Sequence, residues 1–233
     1  SIPQCQQALI DRTSRSSKIN KRAKQESQTS QGNSMKTKTK VYSAGKTYFV
    51  VLKERTSSTG FYDDACYAFY LLRLMHCLNS YRVKLHAYLL RPKEIWLLIT
   101  PGTPTGFDSL QRFLNRAYSD YFNNRFKRSE KVWSDSPISC LIPGDGLVLD
   151  CQKFIEREPL RTKCVLHPGE YLWSSYCTNS FSRSACHLTS HVAYKNFLKD
   201  KTNCFGEYRE FIATPYTQAY YLYLENRLLY AVP

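Results

Sequence analysis

The sequence predicts an α+β fold in which helices pack on a mostly antiparallel sheet, and three observations predict it. Short β-branched, aromatic and aliphatic runs over 47 to 52 and 94 to 99 suit strands, and apolar residues alternate over 83 to 90. They recur at helical spacing in the longer runs 64 to 79, 108 to 125 and 147 to 158. A strand, helix, hairpin, helix order then results, which a layered α+β domain satisfies most simply.

The elements follow in chain order. Thr47-Tyr48-Phe49-Val50-Val51-Leu52 is β-branched and aromatic and suits a buried strand. Asp63 and Asp64 are placed to cap a helix whose residues Tyr67, Phe69, Tyr70, Leu72, Leu74, Met75 and Leu78 recur at helical spacing up to Asn79. Val83 to Leu90 alternates as a strand, Arg91-Pro92-Lys93 turns, and Glu94 to Ile99 returns, so the two form a hairpin. After a loop from Pro101 to Gly106, a helix from Asp108 to about Arg125 turns Leu110, Phe113, Leu114, Ala117, Tyr121 and Phe122 to one side. A further helix from Leu147 to Glu158 is stopped by Pro159, which disfavours helical geometry in the residue before it. Two shorter aromatic-rich helices, near Glu207 to Ile212 and Thr217 to Leu228, end the chain.

Composition limits what such a body meets. A hydrophobic share of 42% with 14% aromatics gives a globular core, and the formal charge of +14 attracts polyanions. Nucleic acid is the first expectation, while an acidic membrane surface or an acidic protein would answer the same charge. Residues 1 to 40 carry nine basic side chains, from Arg12 to Lys40, against Asp11 and Glu26 alone. Poor in apolar residues, this stretch reads as a flexible arm, either a solubilising tail or a phosphate-tracking segment that orders on its ligand. No run reaches the ~20 apolar residues of a membrane span, and the polar start has no secretory core, so an intracellular protein is expected. Nine cysteines without a C-x-x-C pair suggest neither a disulfide framework nor a zinc ribbon. Cys177, Cys186, His187 and His191 could converge on a metal, but their spacing matches no familiar finger; no cofactor is expected.

Five ordered segments carry a resemblance. They are His86 to Pro101, HAYLLRPKEIWLLITP; Tyr118 to Arg128, followed by Trp133; Phe154 to Thr162; and Tyr171 to Tyr176, YLWSSY. The chain resembles, over about residues 42 to 213, the REP-associated branch of the single-tyrosine HUH transposases, whose corresponding segments read HAYVLMPNHVHLLITP, YxxYFNRRxxR with a following W, YIELNPVRAG and YPWSSY. The resemblance implies a ferredoxin-like fold, a transposase-like domain over 41–178, a C-terminal helical extension over 179–233, a homodimer, hairpin DNA as ligand and a bacterial cytoplasmic setting.

Its departures fall on the chemistry. The two metal-binding histidines of HVH are replaced by Glu94 and Trp96, and an indole has no lone pair to offer a cation. The tyrosine nucleophile corresponds to Phe154, which lacks the hydroxyl, and the histidine of the opening strand to Phe49. No catalytic residue is therefore expected; Tyr118 or Tyr121 is the remaining candidate for a substitute nucleophile, against packing in the core. His86 reads as a hydrogen-bonded interior residue, with His76 in the first helix and His167 beside a proline. Trp96 either stacks on a base or fills the emptied metal pocket together with Phe154. Binding residues are expected along two helices: Arg112, Arg116, Arg125, Lys127, Arg128 and Lys131 on the first, and Lys153, Arg157, Arg161 and Lys163 on the second. A catalytically lapsed hairpin-DNA binder is the leading expectation, beside a structured-RNA binder on the same fold and an active transposase with an unconventional site.

Overall fold

The computed structural model describes residues 41–55, 59–181, 187–199 and 201–230; the arm expected over 1 to 40 lies outside them. Four strands form one sheet: β1 (Tyr48–Lys53), β2 (Val83–Leu90), β3 (Glu94–Pro101) and β4 (Ile138–Leu141). Its order is β2-β3-β1-β4, with every neighbour antiparallel. Helix α1 (Asp64–Cys77) joins β1 to β2, and α2 (Gly106–Phe126) joins β3 to β4. That βαββαβ succession is the ferredoxin-like arrangement. The longer helix α3 (Asp145–Arg161) follows, then a single 3-10 turn (Pro168–Glu170) and the helices α4 (Tyr176–Ser180), α5 (Val192–Leu198), α6 (Cys204–Ala213) and α7 (Gln218–Leu229).

Because successive strand residues point to opposite sides, the sheet presents two different faces. Phe49, Val51, Ala87, Leu89, Trp96 and Leu98 share a core with Val148, Cys151, Phe154 and Ile155 of α3, Ala193 of α5, and Leu224 and Leu228 of α7. On the other face, Tyr42 links Tyr48 of β1 to Phe107 of α2, at centroid distances of 5.0 and 5.4 Å. There α1 and α2 meet through Tyr70 and Tyr118 beside Trp133. Asp63 caps α1 as expected, accepting from the Cys66 N–H at 3.1 Å. The outer edge of β2 is covered by the chain itself, since Trp173 accepts from the Leu90 N–H and Leu85 from that of Thr189.

Three expectations need correction. Helix α3 does not stop at Pro159 but continues to Arg161; a proline in the last turn forfeits one amide bond, and Thr162 restores contact by donating both its N–H and its hydroxyl to the Glu158 carbonyl. The apolar side of α2 is turned from the expected one: Phe113 is 37% exposed, and Leu110, Leu114, Tyr118 and Phe122 line the core at fourfold spacing. The edge strand β4 and the short helices α4 and α5 occupy stretches read as loops. No helix among the described residues is long and apolar enough to cross a membrane.

Candidate nucleic-acid interface

Glu94, Trp96 and Phe154, the three positions that the sequence resemblance singles out, meet on one side of the sheet. Glu94 and Trp96 are two residues apart on β3 and so point the same way, toward α3 and its Phe154. Trp96 and Phe154 stack with centroids 5.3 Å apart and planes 8° apart, and Phe49 meets both edge-on. Exposure is 1% for Trp96 and 2% for Phe154, so Trp96 does not offer its ring to a base; it fills the site with Phe154. The indole N–H of Trp96 donates to Glu94 Oε2 at 3.0 Å, and Arg91 donates to the same oxygen at 3.4 Å. These residues do not fit a divalent cation: one carboxylate is already engaged by two donors, and its neighbour is itself a donor.

The stack continues outward. Tyr221 of α7 lies on Phe154 at 5.4 Å and 23°, and the Arg161 guanidinium sits over the Tyr221 ring at 4.7 Å. A second layer of ions surrounds it, with Glu158 accepting from Arg161 at 2.7 and 2.8 Å and pairing with Arg91 at 3.2 Å. Tyr118 and Tyr121 lie on the far side of the sheet. Tyr118 is 1% exposed and donates to the Gly60 carbonyl at 2.7 Å, while Tyr121 stacks on Phe69 at 4.0 Å and gives its oxygen to Arg125. Both are packing residues, and neither faces Glu94.

The ten expected cations divide by helix. On α2, Arg112 and Arg116 are exposed, and Lys127, in the left-handed conformation (φ 55°), ends the helix with Arg128 and Lys131 beyond it. Arg125 pairs bidentately with Asp63 at 3.0 and 2.6 Å, Arg128 lies over Tyr62 at 5.5 Å, Lys131 pairs with Asp135, and Arg112 with Asp108. The Arg125 and Lys131 pairs sit at the surface and can exchange partners for phosphate at little cost, whereas the carboxylate that holds Arg112 is buried. The α3 group is turned inward instead. Lys153 is 5% exposed over Phe211 and Tyr216, and burial lowers its pKa, with Arg157 adding to the effect. Arg157 donates to the Ile212 and Ala213 carbonyls at the end of α6. Arg161, 41% exposed, is held by Glu158, and Lys163 stands clear in the turn beyond it.

Two polar networks went unread in the sequence. His86 Nδ1 lies 2.6 Å from the Thr189 carbonyl, which can only accept, so that nitrogen carries the proton and Nε2 accepts from Thr100 at 2.8 Å. The hydroxyls of Thr100 and Thr47 then align at 2.8 Å, Thr47 accepts from His191 Nε2 at 3.0 Å, and His191 Nδ1 accepts the Ala193 N–H. Every proton in the chain is assigned with both rings neutral, and burial drops the His86 pKa to about 4. Glu156, fully buried, accepts from Ser175 and Asn179 at 2.6 Å and from Tyr208 at 2.7 Å. Burial pushes its pKa up to about 7 against those three donors. Nothing short of the tertiary fold brings these groups together, since Thr47 and His191 are 144 residues apart.

The Cys177, His187 and His191 of the suggested metal cluster have other neighbours, the Gly169 carbonyl, the His76 ring and Thr47 respectively, and Cys186 lies outside the described residues. Among the described residues no group of three or more His, Cys, Asp or Glu is placed to hold a metal. No family model matches the chain, and no curated protein does. Among solved structures, that of a REP-associated tyrosine transposase bound to a REP hairpin matches with a TM-score of 0.52 at 12% identity, covering 65% of this chain and 89% of that one. Sheet order, the two helix layers and this match agree: the chain has the fold of the REP-associated tyrosine transposases.

Proposed function

We propose that the protein binds hairpin-forming single-stranded DNA along the outer side of α2 and does not cut it. The observation that carries this reading is the contrast between the two sides of the sheet: carbon rings close the side where Glu94, Trp96 and Phe154 meet, while exposed cations of α2 and the turn beyond it, several held in surface ion pairs, lie on the other. Binding a phosphate backbone needs only exposed cations, whereas strand transfer needs a hydroxyl and a metal that these side chains do not supply. Support also comes from the matched transposase, which was solved with a REP hairpin.

The test is a titration of the full chain with labelled DNA hairpins across salt concentrations in Mg²⁺ or Mn²⁺, followed by a denaturing gel. Salt-sensitive binding with intact DNA and no covalent adduct is the expected result, and an adduct or a cut strand overturns it. Matched RNA hairpins in the same titration separate the ligands, with tighter RNA binding contradicting the DNA assignment. The stoichiometry at saturation shows whether two copies share one hairpin.

A further inference from the structure

The stacked site opens at its outer end into a cleft of about 260 Å³ that the α2 surface does not use. One wall is Phe154, Arg157, Glu158 and Arg161, spaced i, i+3, i+4, i+7 and therefore on one side of α3. Continuing the helix past Pro159 is what brings Arg161 into line with Arg157. The other wall comes from the chain entering α7, with Tyr216 and Tyr221.

Each guanidinium has donors to spare. Arg157 gives Nη1 to the two α6 carbonyls and, among the described residues, makes no hydrogen bond through Nε or Nη2. Arg161 gives Nε and Nη2 to Glu158 and, among the described residues, makes none through Nη1. Both oxygens of Glu158 are taken, by Arg161 and Arg91, and Glu225 accepts from the Tyr221 hydroxyl at 3.2 Å. The carboxylate that lines the cleft, Glu158, is thus answered from within, and the remaining N–H groups suit an oxyanion from outside.

Flat surfaces adjoin those donors. Tyr216 and Tyr220 are pinned through their hydroxyls to Asp150, and the rings of Tyr216, Tyr220 and Tyr223 follow one another at 5.4 and 5.8 Å. Tyr220 is 36% and Tyr223 49% exposed, and rings already held by hydrogen bonds lose little freedom when a base stacks on them. An oxyanion beside flat rings is the chemistry of a nucleotide. The volume falls just below the ~300–1,000 Å³ of drug-sized ligands, so it suits one nucleotide and no more. A row of tyrosines leading away from the cleft favours a strand over a free nucleotide.

We infer that the cleft holds one unpaired nucleotide of a single strand, its phosphate on Arg157 and Arg161 and the following bases on the Tyr220–Tyr223 row. This rests on the reading of the chain as a nucleic-acid binder but not on the α2 surface. The test uses the full chain, a labelled unpaired oligodeoxynucleotide and, separately, a blunt hairpin with a tight loop. Arg161→Gln and Tyr223→Ala should each weaken the oligonucleotide about tenfold and leave the hairpin unchanged; Tyr223 is exposed, so its variant keeps the test decisive if Arg161→Gln lowers the melting temperature. Nucleoside monophosphate and inorganic phosphate serve as competitors. Equal competition by the mononucleotide overturns the strand, and oligonucleotide binding that is missing or indifferent to both variants overturns the cleft while hairpin binding persists. Oligonucleotide binding without hairpin binding removes the α2 proposal and keeps this one.

Discussion

Trp96 and Phe154 lie face to face, their centroids 5.3 Å apart, and Tyr221 extends the stack from Phe154 by a further ring. Three aromatic layers therefore join β3, α3 and α7, elements far apart in the chain. Each such ring pair adds about 0.5–1.5 kcal/mol beyond the area it buries. The substitutions that distinguish this sequence from the transposase pattern thus act together as packing.

Restoring the missing hydroxyl alone should not restore chemistry. In Phe154→Tyr the new group would project from a ring that is 2% exposed and packed among Phe49, Trp96 and Tyr221, while Glu94 is already engaged by Arg91 and Trp96. We expect no covalent DNA adduct from this variant on a denaturing gel in Mg²⁺ or Mn²⁺. Phe154→Ala should instead cost about 3–5 kcal/mol in chemical denaturation, from lost burial and the cavity left behind.

The division of the cations predicts a difference in salt dependence. Each phosphate contact removed lowers the slope of log K against log salt by ~0.9 on duplex and ~0.7 on single strands. Arg116→Ala and Lys127→Ala, both exposed on or after α2, should each flatten the slope for a DNA hairpin by about one such contact. Lys153→Met should leave it unchanged, because that ammonium is spent on Phe211 and Tyr216. An equal loss of slope in all three would place the ligand elsewhere.

Much of this was legible in the residues, and the exceptions have physical reasons. Continuous β-branched and aromatic runs locate β1 and β3, alternation locates β2, and the HVH-like spacing singles out Glu94 and Trp96 because β-strand geometry puts alternate residues on one side. Strand β4 escapes the same reading because it is only four residues long, three partly buried and Leu141 exposed, and gives no alternation. Basic residues on α3 read as surface, but periodicity does not say which neighbours a helix will have, and α6 and Tyr216 cover Lys153 and Arg157 from outside. Tyr221 could not be tied to Phe154, 67 positions earlier, by any local signal.

Overpacking should be severe at one glycine. A Cβ on Gly60 would stand 2.4 Å from Trp133, a ring with no exposure between Phe61, Tyr70 and Tyr118. The indole is held on all sides, so Gly60→Ala should cost about 1–3 kcal/mol, read as a fall in melting temperature. It should also disturb the Tyr118 hydrogen bond to the Gly60 carbonyl, and with it the junction of α1 and α2.

Asn179 ties the two unread networks together, donating through Nδ2 to both the His86 carbonyl and the Glu156 carboxylate. Their titrations oppose each other. His86 falls to about 4 in the folded protein from an ordinary value of 6.5, so between those values the unfolded chain binds the extra proton and stability rises with pH. Glu156 rises to about 7 from 4.5, so over that interval the folded protein holds the extra proton and stability falls as pH rises. Between about pH 4.5 and 6.5 the two slopes, each near 1.4 kcal/mol per pH unit, cancel. Denaturation of Glu156→Gln should therefore show, relative to the parent, stability that climbs with pH across this window. His86→Gln should show stability that declines across it, through the loss of the opposing histidine. Parallel pH profiles for both variants and the parent would mean that neither group titrates between the folded and unfolded states as its burial requires.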